Sequence, residues 1–245
     1  MALYKLKIAY DGTGFKGFQR QKNQRTVQAE LENALVRFGW QESSILAAGR
    51  TDTGVHADGQ VVSFNLEWRH TAEALRDALN HALPTDVRVL ELAPAPDGFH
   101  PRFHALERRY RYQVVFVPLE HPLRQHYFWR VWPKPDEGLL KEASALFLGK
   151  HDFRAFGRPP DGRVNSTRTI QNAEWTFQPN EEACFRVSAE AFLYHMVRRM
   201  VYVLIRVGQK RISLQDLNEC ITAQLELPAG IAPAKGLILE EIIYK

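Results

Sequence analysis

Residues 45–66 read ILAAGRTDTGVHADGQVVSFNL, two apolar runs, Ile45–Ala48 and Gln60–Leu66, around a polar turn that carries Gly49, Gly54 and Gly59. Short apolar runs on either side of Gly and Asp are the mark of paired strands. Upstream, Thr26 stands as an N-cap, and Val27, Leu31, Ala34, Leu35 and Phe38 recur at helical spacing until Gly39. Before that helix, Tyr4, Leu6, Ile8 and Tyr10 alternate with Lys5 and Lys7, the period of a half-buried strand. Downstream, Thr71 caps a helix bearing Ala72, Leu75, Ala78, Leu79 and Ala82 that must end before Pro84, and Val87–Leu92 follows as a strand. The order β-α-β-β-α-β is the split βαβ, or ferredoxin-like, unit.

A Pro-rich stretch, Pro94–Pro101, marks a joint, which divides the chain into an N-terminal half, 1–100, and a C-terminal half, 101–245. The second half echoes the first. Tyr110, Tyr112, Val114 and Phe116 alternate as a strand, with another expected within Tyr127–Trp132, and Leu139, Leu140, Ala143, Leu146 and Phe147 mark a helix. Strands are expected at Arg168–Phe177 and Cys184–Ala191, then an apolar helix Tyr194–Val207, a helix with Ser213 and Asp216 as a capping box, and a last strand Leu237–Tyr244. The fold class is therefore α+β, two halves sharing one antiparallel or mixed sheet.

The chain has 245 residues, 45% hydrophobic and 24% charged, enough to bury a large core and unlike a disordered segment. No apolar run reaches the roughly 18 to 20 residues that cross a bilayer. The start, Met1-Ala-Leu-Tyr-Lys-Leu-Lys7, has no signal-peptide core, so an unprocessed soluble protein is expected. The two cysteines, Cys184 and Cys220, form no paired motif, which makes a reducing cytoplasm the expected compartment.

With 32 Lys and Arg against 28 Asp and Glu the net charge is +4, a mild excess that permits a polyanionic partner. The cations gather in loop-like segments: Lys16, Arg20, Lys22 and Arg25; Arg102, Arg108, Arg109 and Arg111; Arg158, Arg163 and Arg168. Phe15, Phe18, Phe99, His100, Phe103, His104, Tyr110 and Tyr112 are interleaved with them, as where phosphates are neutralised and unstacked bases find flat partners. A solvated mixed-charge surface is the plainer reading of the same composition.

Gly12-Thr-Gly14-Phe-Lys-Gly17 has the letters of a dinucleotide fingerprint, but that fingerprint needs a helix to open at the glycines. Here a basic, Gln-rich loop runs on to Thr26, so no nucleotide cofactor is expected. Gly49-Arg-Thr-Asp52-Thr-Gly-Val-His-Ala57 sets an Asp beside an Arg between two strands and is the best catalytic candidate. Taken alone, Asp-Thr-Gly reads as a turn whose Asp bonds its own backbone. It also has the letters of an aspartic protease, but in one copy, so a hydrolase would need a dimer to supply the second carboxylate. His100 and His104, with His56 added, could be drawn as metal ligands, yet Pro101 opposes the helix that would align the pair, and no metal is expected. Arg198 and Arg199 sit on an apolar helix, where a guanidinium needs a partner, either structural or Asp52.

In sequence order, Tyr10-Asp-Gly-Thr-Gly-Phe-Lys-Gly-Phe-Gln19, Thr26-Val-Gln28, the Gly49–Ala57 segment with Gly59-Gln-Val-Val62, Leu83-Pro-Thr-Asp86, Phe103–Tyr112 with Arg109-Tyr-Arg-Tyr112, His151-Asp-Phe153, Phe192-Leu-Tyr-His-Met-Val-Arg198 and Ala232-Pro-Ala-Lys-Gly-Leu237 together resemble the tRNA pseudouridine synthase A family. Phe18 stands where that family usually has Trp, which keeps an aromatic plane. The resemblance implies two ferredoxin-like halves around a shared, mainly antiparallel sheet. It implies a homodimer that acts on tRNA without cofactor or metal, isomerising uridine to pseudouridine at positions 38 to 40 of the anticodon stem-loop. The target base must then leave its stack. On this resemblance Asp52 is the essential carboxylate, ionised for its task, and Arg198 the basic residue that favours its charged form. Tyr110 stacks on the target base, with Tyr112 on the same face as the alternative; Arg50 contacts the flipped nucleotide, and Leu237 closes the pocket. Lys16, Arg20, Arg25 and Arg168 are expected at phosphates. A non-catalytic tRNA-binding module would use the same surface.

Overall fold

The computed structural model describes residues 1–159, 165–222, 226 and 228–245. Arg163 lies outside the described residues. The chain forms two compact units, Met1–Leu106 with Ile238–Lys245, and Glu107–Leu237.

In the first unit the central strand is β1, Ala2–Tyr10, which buries Tyr4, Leu6, Ile8 and Tyr10 as its alternation predicts. It runs antiparallel to β3, His56–Leu66, on one side and to β4, Val87–Pro94, on the other. Two short pairings share the far edge of β3. The two-residue β2, Leu46–Ala47, lies antiparallel against Val62 and Ser63, and the last strand of the chain, β10, Leu237–Ile243, runs parallel with Ile238 opposite His56. Helices α1, Val27–Val36, and α2, Ala72–Ala82, are capped by the Thr26 and Thr71 hydroxyls, which accept from the Ala29 and Ala74 amides. Asn80 of α2 clasps β4 with its whole side-chain amide, donating to the Val89 carbonyl at 2.9 Å and accepting from the Val89 amide at 2.8 Å.

In the second unit β5, Glu107–Val115, pairs antiparallel with β9, Glu182–Ala189, and β9 with β8, Thr167–Phe177; β7, Gly149–Asp152, adds beyond β8. β6, Trp129–Arg130, lies parallel to β5. Helices α3, Glu137–Ala145, α4, Met196–Gly208, and α5, Leu214–Thr222, complete the unit. The capping box at Ser213 closes as expected: its hydroxyl accepts from the Asp216 amide at 3.0 Å, and Asp216 accepts from the Ser213 amide at 3.1 Å. The class is α+β with mostly antiparallel pairing.

Helix α1 stops at Val36, short of Phe38, α3 stops at Ala145, short of Leu146 and Phe147, and β9 is Glu182–Ala189 in place of Cys184–Ala191; three further departures from the periodicity have a visible cause. Helix α4 starts at Met196 rather than Tyr194 because His195 takes a left-handed backbone, φ 66°, outside the helical region. Strand β3 starts at His56, before its apolar run, since Ala57 and His56 are drawn into ladders with β1 and β10. Strand β7, Gly-Lys-His-Asp, has no apolar alternation and is a strand through its register with β8. Among the described residues no helix is long and apolar enough to cross a membrane.

Ile8 of β1 is fully buried. Ile8→Ala is expected to lower stability by about 2–5 kcal/mol, read as a fall in the urea midpoint.

Candidate active site

Asp52 is half-buried on the turn that joins β2 to β3. The turn closes through the Val55 amide, which donates to the Asp52 carbonyl at 3.1 Å, with Gly54 at φ 78° in its third position. A single turn of 3-10 helix, Gly12–Gly14, follows β1, and α1 does not begin until Val27, so these glycines open no long helix toward a phosphate. They serve the Asp52 turn instead. A methyl group on Gly12 would lie 2.1 Å from the Val55 carbonyl oxygen, and one on Gly17 would lie 2.8 Å from the Thr51 carbonyl oxygen. Gly17 also sits at φ 89°, a conformation that costs any other residue energy. The two loops thus meet backbone to backbone, tied by the Phe18 amide to the Thr51 carbonyl at 3.0 Å and the Gly54 amide to the Phe15 carbonyl at 3.4 Å.

Side chains brace the same contact from below. The Tyr10 hydroxyl and the Thr51 Oγ1 lie 2.8 Å apart in the interior, beside Asp52 in the chain. His56 is buried, and its Nδ1 accepts from the Gly12 amide at 3.0 Å. Asp11 Oδ1 lies 3.2 Å from the same nitrogen, and His56 thus braces the glycine loop. Asp11 accepts from the Thr13 amide at 2.9 Å and the Thr13 hydroxyl at 2.6 Å, which holds the 3-10 turn.

The cations of the glycine loop differ in their surroundings. Lys16 and Arg50 are exposed. Arg25 grips Asp86 with both terminal nitrogens, at 2.7 and 2.8 Å, bonds Glu30 through Nε at 2.9 Å, and stacks 4.2 Å from the Phe15 ring centroid. The bonds to Asp86 raise its pKa further above the ordinary arginine value, so it is a fully matched strut between the loop and the start of β4. Arg20 reaches Glu32 at 2.6 Å and the Ser43 carbonyl at 3.0 Å, and Glu32, itself buried, also accepts from Gln28 and from the Ile45 amide.

In the second unit, Tyr110 on β5 is half-buried, with its ring edge-on to Phe192 at 5.2 Å. Tyr112, two residues on, is wholly buried, and its hydroxyl donates to the Pro233 carbonyl at 2.7 Å. Burial pushes that phenol well above its ordinary pKa, against a small opposing effect of Arg198. Tyr112 is therefore core, and of the two tyrosines only Tyr110 keeps ring surface in reach of a ligand. Arg198 on α4 donates through Nε to the Ala232 carbonyl at 2.8 Å, and the Ala232 amide returns a bond to the Arg198 carbonyl at 3.2 Å. The structure so brings Arg198 together with the segment that passes through a 3-10 turn, Ala234–Gly236, to the buried Leu237. Gly236 lets that segment pass, because a methyl there would lie 2.6 Å from the Tyr112 ring. Arg168 on β8 is placed apart from these: its guanidinium donates to the carbonyls of Asn165 at 3.2 Å and Thr167 at 2.6 Å, and burial lowers its pKa.

The model of one family, tRNA pseudouridine synthase, matches residues 7–104 and 143–245. The protein named tRNA pseudouridine synthase A from Listeria monocytogenes serotype 4b (strain CLIP80459) is 38% identical over 252 residues, covering 100% of both chains. Those of the same name from Streptococcus equi subsp. equi (strain 4047) and Thermodesulfovibrio yellowstonii are 39% and 35% identical, again over 100% of both chains. The chain belongs to the tRNA pseudouridine synthase family. It is thereby an isomerase of the class that makes pseudouridine from uridine. The Asp52 turn, the glycine loop, Arg198 and Leu237 lie within the matched stretches, whereas Tyr110 falls between them and is covered by the full-length relatives.

Sequence reasoning singled out Asp52 but missed its supports. The signal was present in Gly12 and Gly17, glycines with no helix to open, and in Tyr10, the last inward residue of an alternating strand.

Gly12→Ala is expected to cost at least about 3 kcal/mol of stability, because the methyl must displace main chain rather than a flexible side chain. Gly49→Ala, where a methyl meets nothing within 4 Å, is expected to change stability by less than about 0.5 kcal/mol. Thermal unfolding of the two variants against the parent checks the contrast.

Proposed function

We propose that the chain isomerises uridine to pseudouridine at positions 38 to 40 of the tRNA anticodon stem-loop, with Asp52 as the essential carboxylate. The observation that carries this is the placement of Asp52: a half-buried carboxylate on a turn whose main chain is fixed by Gly12, Gly17, Tyr10 and His56. A group that must meet one sugar or base atom gains from a backbone that cannot drift. The turn reading of Asp-Thr-Gly does not account for so much support, since a surface Asx turn needs none.

The reaction breaks the N1–C1′ bond, turns the uracil and joins C5 to C1′, and the C5 hydrogen leaves as a proton. It is redox-neutral and passes no group to an outside acceptor, so the reading requires no cofactor or metal. The target nucleotide leaves its stack and the freed uracil is held while it turns. Asp52 acts as nucleophile or general base, beside a sugar carbon with oxocarbenium character. Arg198 supplies the cation of the same reaction, held in one orientation by the Ala232 carbonyl. Tyr110 offers its ring to the base, Arg50 contacts the flipped nucleotide, and Leu237 supplies an apolar wall. Lys16 is the phosphate contact this reading favours, with Arg20 and Arg168 after it; Arg25 contributes least, its charge being matched by Asp86 and Glu30. The enzyme acts as a homodimer in the cytoplasm.

Tritium release from unmodified tRNA carrying [5-³H]uridine tests the reading, because release requires substitution at C5. Parent protein is expected to release tritium, and Asp52→Ala to be slower by about a thousandfold or more. Carbodiimide treatment of the product followed by primer extension is expected to give stops at positions 38 to 40. If the parent binds tRNA in a salt-sensitive way and releases nothing, the chain is a tRNA-binding module and Asp52 a turn residue.

Tyr110→Phe is expected to keep most of the release rate, since stacking needs the ring alone, while Tyr110→Ala loses at least about tenfold in kcat/KM.

A further inference from the structure

The turn Phe99–Leu106, whose aromatic and cationic residues interleave in the sequence, has no role in the proposed reaction. Phe103 at its tip is 66% exposed, with the His100 ring 4.2 Å away at an interplanar angle of 36° and the Arg102 guanidinium 6.0 Å from its centroid. The tip does not hang loose. The His104 amide donates to the His100 carbonyl at 3.1 Å, and the Arg102 amide donates to His100 Nδ1 at 3.1 Å, which leaves that imidazole as a flat Nε2–H ring. Below it, the Pro101 carbonyl accepts from the Tyr244 hydroxyl at 2.7 Å, and the Phe99 and Tyr244 rings pack at 5.3 Å with the Lys5 ammonium 4.0 Å from the Tyr244 centroid. A phenyl ring is thus held in water by a turn tied down from several sides. Ordering such a turn costs conformational entropy that an unused surface ring does not return.

The chemistry of the tip selects among occupants. Between Asp97 and Glu107 the one side chain of fixed charge is that of Arg102, next to Phe103, which suits a phosphate beside a base. One ring with its neighbours offers far less apolar area than the roughly 1,000 Å² of a stable protein interface, but it matches the area of one base. We propose that Phe103 is a stacking platform for an unpaired nucleobase of the RNA substrate, with Arg102 at the adjoining phosphate. This rests on tRNA being the substrate, and it adds a contact distinct from the one assigned to Tyr110.

Filter binding of unmodified tRNA transcript to the full-length protein, repeated across a salt series, tests it. Phe103→Ala is expected to weaken binding about tenfold, Phe103→Leu nearly as much, and Phe103→Trp to hold the parent affinity, because a planar ring rather than apolar volume is needed. The salt slope of Phe103→Ala should equal that of the parent, and Arg102→Ala should reduce it by about one. Tritium release at saturating tRNA should stay within about twofold of the parent for every Phe103 variant, the loss falling on KM. Parent-like affinity in Phe103→Ala, or in Phe103→Leu, overturns the proposal. So does a change in sedimentation of Phe103→Ala, which would make the ring a contact with a second protein chain. If the parent itself neither binds nor modifies tRNA, the proposed function fails and takes this inference with it. If the parent does both and Phe103→Ala is indistinguishable from it, the platform alone fails.

Discussion

The close approach of the Gly12 backbone to the Val55 carbonyl is the constraint on which the first unit depends. At that distance there is no room for a Cβ, so the end of β1 and the start of β3 are locked at one separation. The hydrogen bond that the Gly12 amide donates to His56 fixes the direction of approach, and the Tyr10–Thr51 hydroxyl contact fixes the depth. Arg25 then carries the constraint outward, since its grip on Asp86 joins the glycine loop to the start of β4. Asp52 inherits its position from all of these without itself packing in the core.

The second unit reaches a similar end by similar means. Arg198 is held by a main-chain carbonyl, and so is the Tyr112 hydroxyl; the acceptors, Ala232 and Pro233, are consecutive. The segment leading to Leu237 is thus pinned twice through its backbone, which leaves its side chains free to be chosen for what they meet. In both units the candidate residues stand on main chain held by main chain, and the supporting residues are glycines, a proline carbonyl and buried hydroxyls.

Much of this was legible in the sequence, for physical reasons that differ by element. Strand β1 and helix α2 were plain because one face is buried and the other wet, which imposes a period on the letters. The capping box at Ser213 was plain because the cap is local. Strand β7 was not, since Gly149–Asp152 is a strand through its partner and not through its own composition. Tyr112 could not be told from Tyr110 by alternation, because facing the same way says nothing about what lies opposite; Pro233 and Gly236, more than a hundred residues on, decide it. The glycine loop opens no α-helix before Val27, as its sequence indicates, yet its actual use was hidden, as a contact between two backbones leaves only the absence of side chains as its trace.

The parallel pairing of Ile238 and Leu239 with His56 and Ala57 joins the last strand to the first residues after the Asp52 turn. Those partners are 182 residues apart, so the pairing closes a very long loop and is entropically late. β3 therefore gains its full set of neighbours only once β10 has been made. The edge beside His56 therefore stays open on a nascent chain, and a protein truncated before residue 238 would present it as an unpaired strand to other chains. Completion of this frame thus waits on a contact between segments far apart in sequence.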